Sequence, residues 1–143
     1  MSDAVLDTTV VAFENADLLK QGVADSVAQC IRLLEDAVER RVRIRFNQVL
    51  LNEYQEHVKR PGNDVIEAFF QLLDSASAVR VKRNALARHL HQRAFEHRWP
   101  RHDEHLLAAA IDGEDPSIYV TDQRLARCAA GILRAFRIRV HQV

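Results

Sequence analysis

The sequence has no long apolar segment and few cysteines. Its 143 residues contain no run of about 18 consecutive apolar residues, so no segment is predicted to cross a membrane. Met1-Ser2-Asp3 lacks the basic start of a secretory signal, and we therefore expect a cytoplasmic protein. Cys30 and Cys128 are far apart in helix-like contexts, which favours two buried, reduced thiols over a disulfide.

The sequence also has no net charge, because 20 Lys and Arg residues balance 20 Asp and Glu residues. This balance neither favours nor excludes a nucleic-acid partner. The distribution is uneven, however, since Glu96 is the only acid in residues 80–101. Such a basic segment is typical of either a polyanion-binding surface or a solvated helix face. Its Lys and Arg residues are Arg80, Lys82, Arg83, Arg88, Arg93, Arg98 and Arg101.

The composition is that of one globular domain spanning residues 1–143, with 48% hydrophobic and 28% charged residues. Apolar runs and apolar–polar alternation predict strands at residues 4–6, 42–46, 117–121 and 137–140. Residues 79–81 are either a brief strand or the connection to the next helix. Helical patterns fill the intervals at residues 25–41, 49–59, 84–96, 103–111 and 125–136. This alternation predicts a three-layer α/β/α sandwich with a central, mainly parallel sheet.

The segment Val5-Leu6-Asp7-Thr8-Thr9 is the most informative part of the sequence, because an apolar run stops there at a carboxylate. It predicts a central parallel strand with Asp7 at the C-terminal tip, where open α/β sheets bind their ligands. The ordinary alternative for Asp7 is the N-cap of the next helix. The choice depends on whether other acids reach the same edge of the sheet.

Three further acids are expected near that edge. Asp122 follows the strand-like Val120-Thr121, Asp103 opens the helix before this strand, and Glu53 lies on the helix after the second strand. Glu53 alone is equally typical of a solvent-facing helix residue. In a parallel sheet, however, all four acids can converge at one place.

Carboxylates that converge repel one another unless a cation joins them, and Mg²⁺ or Mn²⁺ is the natural partner of oxygen ligands. Without a cation, at least one of Asp7, Asp103 and Asp122 should have a raised pKa. A divalent cation at such a site can activate water against a phosphate without a Ser, Cys or His nucleophile. The hydroxyls that could orient the water or the outer ligands are those of Thr8, Thr9 and Thr121.

These residues resemble the PIN-domain nucleases over essentially the whole chain. The resemblance lies, in chain order, in Val5-Leu6-Asp7-Thr8-Thr9, Leu51-Asn52-Glu53, Asp103 with its Ala-rich helix, and Val120-Thr121-Asp122. It implies a five-stranded parallel sheet and an endoribonuclease dependent on Mg²⁺ or Mn²⁺. The metal-binding and catalytic acids would be Asp7, Glu53, Asp103 and Asp122.

Two positions differ from the family pattern. Thr9 stands where Asn or Ser is common, and Gln123 stands where many members have another acid or Asn. The first change keeps a polar group, whereas the second leaves the number of metal ions open.

The resemblance also implies partners. Many PIN-domain proteins are toxins of bacterial toxin–antitoxin pairs, held inactive by a small antitoxin protein and often homodimeric. RNA would be the substrate, and part of the basic segment would contact it. The residues expected to do so are Arg80, Lys82, Arg83, Arg88 and Arg93.

Three other interpretations remain open at this point. His102-Asp103, together with His57 and Asp122, could be the metal site of a mainly helical HD-type phosphohydrolase. A phosphatase of the haloacid-dehalogenase type would need an Asp where Thr9 stands. A degenerate nuclease-like domain that only binds RNA or a protein would be expected to lack an acid, whereas all four are present.

Overall fold

A computed structural model describes residues 1–14, 24–60 and 63–143. It is a three-layer α/β/α sandwich around a five-stranded, all-parallel sheet, which confirms the predicted fold class. The strands are β1 (Asp3–Leu6), β2 (Arg43–Phe46), β3 (Val79–Arg80), β4 (Ser117–Val120) and β5 (Arg139–Gln142). The helices of the described residues are α1 (Thr8–Glu14), α2 (Ala24–Val38), α3 (Gln48–His57), α4 (Asp64–Leu73), α5 (Arg88–Glu96), α6 (Glu104–Ala110), α7 (Gln123–Ala126) and α8 (Ala129–Phe136).

The strand order is β3-β2-β1-β4-β5, so β1 is the central strand, as predicted. All four residues of β1 are buried, as expected for a parallel strand covered on both faces. From β1 the chain moves outwards to β2 and β3, and it then returns to the other side of β1 as β4. This reversal creates a topological switch point between the C-terminal ends of β1 and β4, where open α/β sheets form their binding crevices.

The hydrophobic core joins the sheet to its helices. Leu6, Phe46 and Ile118 of the sheet belong to one buried cluster with Leu107 of α6 and Phe69 of α4. Helix α6 packs directly against β1, β2 and β4. Its three successive alanines at residues 108–110 are fully buried, because their small side chains permit this close approach.

A buried ionic cluster ties the N-terminal end of β1 to its neighbours. Asp3 accepts hydrogen bonds from Nε of Arg43 at 2.7 Å and from the N–H of Glu114 at 2.8 Å. Arg45 donates to the carbonyl of Ala109 at 2.8 Å. Burial raises the pKa of Asp3, but the hydrogen bonds and the charges of both arginines outweigh burial and place it below the ordinary value.

The predicted helix at residues 84–96 begins later than expected, because α5 starts at Arg88. Asn84 lies outside α5, and its side-chain oxygen accepts a hydrogen bond from the N–H of Gln48 at 3.1 Å. The carbonyl of Arg83 accepts another from Asn47 at 3.0 Å. These two bonds hold the segment against the start of α3 instead of continuing the helical pattern.

The predicted helix at residues 125–136 is two helices, α7 and α8. The N–H of Cys128 bonds to the carbonyl of Leu125 at 3.0 Å, three residues back, which is tighter than the α-helical spacing. Helix α8 then packs closely on the end of α5, since a Cβ atom on Gly131 would lie 2.5 Å from Nδ1 of His97. The separate start of α7 at Gln123 follows from the capping side chain of Asp122.

Other predictions concern the cysteines, the membrane and two loops. Cys30 and Cys128 are both free thiols, as predicted, although only Cys30 is fully buried. Within residues 1–14, 24–60 and 63–143, every helix is too short or too polar to cross a membrane. The sequence Lys20-Gln21-Gly22 predicts a break and Pro61-Gly62 predicts a turn, and both segments lie outside the described residues.

Candidate active site

The four acids singled out in the sequence line one cleft of about 450 Å³, which we call the acidic cleft. Asp7 follows β1, Asp122 lies two residues beyond β4, Glu53 comes from α3 and Asp103 immediately precedes α6. The cleft therefore lies at the switch point of the sheet. The other residues that line it are Thr8, Thr9, Ala12, His57, His102, Thr121 and Arg124.

Asp7 is held by the first turn of α1. Its Oδ1 accepts a hydrogen bond from the N–H of Thr8 at 2.8 Å, and the hydroxyl of Thr9 lies 3.4 Å from Oδ2. A capping side chain normally accepts from the second or third N–H of its helix. The N–H of Val10 bonds instead to the backbone carbonyl of Asp7 at 3.0 Å. Capping therefore does not account for this carboxylate.

The carboxyl groups of Asp7 and Asp103 hold their protons more tightly than free Asp. Burial is the main reason that the pKa of Asp7 is raised to about 6; the N–H of Thr8 opposes this, and the charges of Asp103 and Glu53 add to it. Burial also raises the pKa of Asp103, with the charges of Asp122 and Glu53 contributing in the same direction. The expected direction of the shift is confirmed for these two residues, but burial, and not the repulsion between the acids, is its main cause.

Glu53 is directed to the cleft by contacts along α3. The hydroxyl of Thr8 donates to Oε2 of Glu53 at 2.7 Å. One residue further on, the fully buried Tyr54 donates its hydroxyl proton to the carbonyl of Leu6, the last residue of β1. The ring of Tyr54 also packs edge-on against Phe69, with 5.7 Å between ring centroids. These contacts fix the helix that carries Glu53 relative to the strand that precedes Asp7.

Asn47 is a structural residue of the site that was not singled out from the sequence. It is fully buried and caps α3, because its side-chain oxygen accepts from the N–H of Leu50 at 3.1 Å. Its amide nitrogen donates to the carbonyls of Arg83 and His105, at 3.0 and 2.9 Å. Asn between a strand and a helix is a recognisable cap signal, but the link to α6 is visible only in three dimensions.

Asp103 lies at the N-cap position of α6, yet its side chain makes no capping hydrogen bond. Its carboxylate is 3.3 Å from Nε2 of His102. The buried Trp99 donates from its indole N–H to the backbone carbonyl of Asp103 at 2.8 Å. The main chain is thus fixed by Trp99 while the carboxylate remains available to the cleft.

Asp122 differs from the other acids, because it is already engaged by its own helix. Its Oδ1 accepts from the N–H of Arg124 at 2.8 Å, which is the capping bond of α7. The guanidinium of Arg124 also lies 2.9 Å from Oδ2. The hydrogen bond from this side chain is the main reason that the pKa of Asp122 lies below the ordinary value. The expectation of a raised pKa therefore does not apply to this residue.

The three predicted hydroxyl residues all lie in the acidic cleft, but they have different partners. Thr8 is bonded to Glu53, whereas the hydroxyls of Thr9 and Thr121 lie 2.7 Å apart and bridge the ends of β1 and β4. Thr9 and Thr121 therefore place two hydroxyl groups side by side at the switch point.

His105 was also not singled out from the sequence. Its side chain is 7% exposed, and Nε2 lies 3.5 Å from Oε2 of Glu53. Within the described residues, Nε2 has no hydrogen-bond partner at all. A signal for it exists, because a histidine directly precedes the apolar residues 106–110 of α6, but that pattern alone does not distinguish a core residue from a site residue.

The five basic residues expected to contact RNA lie outside the acidic cleft, and three of them have partners within the protein. Arg80 donates to the side chain of Gln48, Arg83 pairs with Asp112 at 2.9 Å, and Arg93 donates to the carbonyl of Ala135 at 3.2 Å. Within the described part of the chain, two exposed residues make no such contact, namely Lys82 and Arg88.

The donors of the acidic cleft match a hard divalent cation in chemical type. Asp7, Glu53 and Asp103 are close enough for their charges to act on one another, and carboxylate oxygens are what Mg²⁺ and Mn²⁺ prefer. In residues 1–14, 24–60 and 63–143, however, no three Asp, Glu, His or Cys side chains form a ready-made metal-binding group. Side-chain rotation would therefore have to accompany the binding of a cation.

The HD-type interpretation is contradicted by the fold. His57, His102, Asp103 and Asp122 do line the same cleft, but a mainly helical domain is incompatible with the five-stranded parallel sheet.

A comparison of the chain with protein-family models finds no match, and a comparison with curated proteins finds none either.

Proposed function

We propose that the chain is an endoribonuclease of the PIN-domain type that depends on Mg²⁺ or Mn²⁺. The observation that carries this proposal is the convergence of four acids, distant in sequence, in one cleft at the switch point of a parallel sheet. The raised pKa of Asp7 supports it, because perturbed carboxylates in a cleft are typical of functional sites.

In this proposal Asp7, Glu53, Asp103 and Asp122 hold the cation. The bound cation would supply positive charge to the phosphodiester during its hydrolysis by water. With a pKa of about 6, Asp7 is largely ionised at neutral pH and can act as a ligand. Asp122 would contribute to this set from beside Arg124, and the guanidinium of Arg124 in the same cleft would suit a phosphate oxygen.

The remaining polar groups have a defined use in the same scheme. Thr8 keeps Glu53 in place, and the paired hydroxyls of Thr9 and Thr121 are suited to orient a water molecule by hydrogen bonding. No serine or cysteine is among the described residues that line the cleft, which is consistent with direct attack by water.

Of the five basic residues expected to contact RNA, Lys82 and Arg88 are exposed and available, and we extend the proposed path of the RNA to a neighbouring surface. The residues that line a hollow of about 690 Å³ include Arg98, Arg101 and Phe95, and Phe95 is 68% exposed. A second hollow shares Arg101 with the first and His102 with the acidic cleft. Guanidinium groups beside an exposed aromatic ring suit single-stranded RNA, whose phosphates and bases they can contact.

An antitoxin protein and a homodimer are further proposals that follow from the PIN-domain resemblance. The exposed Phe95 and Leu133 are apolar side chains on α5 and α8, two helices that contact each other. Co-purification with the product of an adjacent gene, and the mass of the purified chain in solution, test these two proposals separately.

The test of the proposed function is cleavage of a mixed RNA pool with and without Mn²⁺, followed by sequencing of the new ends. Cleavage that requires Mn²⁺ and stops in excess EDTA supports the proposal. Equal cleavage in EDTA contradicts it. Binding of RNA without cleavage in any divalent cation would favour the alternative, a domain that only binds RNA.

A further inference from the structure

His105 combines deep burial with an unused polar atom. It is 7% exposed on a helix whose following residues, 106–110, are apolar and fully buried. Its Nε2 has no hydrogen-bond partner within the described residues. A buried ring nitrogen without a partner costs free energy, so such a group calls for a specific explanation.

Oε2 of Glu53 lies 3.5 Å from Nε2 and can accept a hydrogen bond from it. This separation is longer than a normal hydrogen bond, but a small rotation of the Glu53 side chain would close it. Oε2 already accepts from Thr8 at 2.7 Å, and a carboxylate oxygen has room for a second donor. The other oxygen, Oε1, receives no hydrogen bond from the described part of the chain.

We propose that His105 is a positioning residue. Its Nε2 carries the ring proton and donates a hydrogen bond to Oε2 of Glu53. Thr8 and His105 together then hold one oxygen of Glu53 from the protein side. Oε1 is thereby left for a divalent cation in the acidic cleft. The hydrogen bond rests on the structure alone, whereas its effect on the cation rests on the proposed function.

A direct role of His105 as a nitrogen ligand of the cation is the main competing assignment. Imidazole suits transition metals, and Mn²⁺ accepts it. The hydroxyl of Thr8 on the same carboxylate oxygen favours positioning instead, because both groups then act on Glu53 in the same way. The two assignments differ in the tautomer that they require, since a ligand nitrogen carries no proton.

The first arm of the test determines which ring nitrogen of His105 carries the proton in the cation-free wild-type protein. Two-bond ¹H–¹⁵N spectra recorded at about pH 8 distinguish a proton on Nε2 from one on Nδ1. We expect the Nε2–H form, and we expect Glu53→Gln to change the chemical shift of that nitrogen. A proton on Nδ1 would overturn the proposal. This arm does not require cation binding, so it decides the matter even if the proposed function fails.

The second arm measures Mn²⁺ affinity by electron paramagnetic resonance of the free ion. His105→Leu fills the space without a donor, and it should weaken binding about 10- to 100-fold, as is usual when an outer partner of a ligand is lost. His105→Gln keeps an N–H donor and should retain most of the affinity. A melting curve identifies a variant that has failed to fold, and the comparison then rests on His105→Gln and the first arm.

Equal Mn²⁺ affinity of folded His105→Leu and the wild type would reduce His105 to a packing residue and overturn the proposal. A ¹⁴N coupling between His105 and bound Mn²⁺ would also overturn it, in favour of direct ligation. Failure of the wild type to bind Mn²⁺, with the Nε2–H tautomer present, would contradict the proposed function and leave the hydrogen bond intact.

Discussion

The hydroxyl of Thr8 donates a hydrogen bond to Oε2 of Glu53 at 2.7 Å and joins the first turn of α1 to the middle of α3. Thr8 is 7% exposed, so little water competes for this contact. The bond connects the residue next to Asp7 with the acid of another helix. It is the most direct link between two of the proposed ligands.

Replacement of Thr8 by Val should weaken Mn²⁺ binding about 10- to 100-fold, because it removes the hydroxyl that orients Glu53 while keeping the shape of the side chain. Thr8→Ser is the matched control, since it keeps the hydroxyl and should bind nearly as well as the wild type. Titration calorimetry with Mn²⁺ measures both. Unchanged affinity in Thr8→Val would show that this bond does not prepare a cation site.

Tyr54→Phe should lower the free energy of unfolding by about 1–3 kcal/mol, because it leaves the buried carbonyl of Leu6 without its donor. Tyr119→Phe is a suitable control, since the hydroxyl of Tyr119 makes no hydrogen bond within the described residues. Urea unfolding of both variants gives the comparison. Equal effects of the two substitutions would mean that the contact between α3 and β1 contributes nothing to stability.

The raised pKa of Asp7 should make stability depend on pH. The folded state holds this proton up to about pH 6, whereas a free Asp releases it near 3.8. Between these values the folded state binds more protons than the unfolded state, so stability falls as pH rises through this window and the loss persists above it. For a shift of this size the loss is up to about 3 kcal/mol.

Asp7→Asn removes the titrating carboxyl group, so the stability of this variant should not fall over the same pH range. The stability of the wild type relative to Asp7→Asn should therefore decline from about pH 4 to pH 6 and then level off. Mn²⁺ should restore part of the lost stability of the wild type, because a ligand that binds only the folded state stabilises that state. Chemical unfolding at several pH values measures the difference. A difference that is constant with pH would contradict the pKa of Asp7.

The RNA path through Arg98 and Arg101 predicts a specific salt dependence. Arg98→Gln with Arg101→Gln should flatten the slope of log affinity against log salt by about 1.4, since each lost contact to a single strand contributes about 0.7. The control is Arg83→Gln with Arg93→Gln, which removes the same charge from residues with partners in the protein. Fluorescence anisotropy with a labelled oligoribonucleotide in EDTA separates binding from cleavage. The same slope change in both double variants would reject the assigned path.

The convergence of the acids could be predicted from the sequence because it follows from a simple property of parallel sheets. Asp7 and Asp122 each come after a strand, and strand ends of one direction meet at one edge. The prediction needed only local patterns and the strand direction. The strand order places β1 next to β4, and local patterns do not reveal it, because it depends on contacts between distant segments.

The supporting contacts could not be predicted, because they join side chains that are far apart in sequence or depend on the exact local geometry. Asn47 reaches the carbonyl of His105, and Trp99 holds the main chain of Asp103 by an indole bond. The charge pattern likewise gave the positions of the arginines but not their partners. Arg83 is paired with Asp112, and Arg124, which was overlooked, lies in the acidic cleft beside Asp122.

The most direct test of the account is the rate of RNA cleavage by Asp103→Asn in Mn²⁺ under single-turnover conditions. We expect a loss of at least about 100-fold, because one of the charges that hold the cation is removed. Glu39→Gln, which removes an exposed carboxylate outside the acidic cleft, should cleave at the wild-type rate. A wild-type rate for Asp103→Asn, with both proteins folded and free of contaminating nuclease, would contradict the assignment of the acidic cleft as an active site.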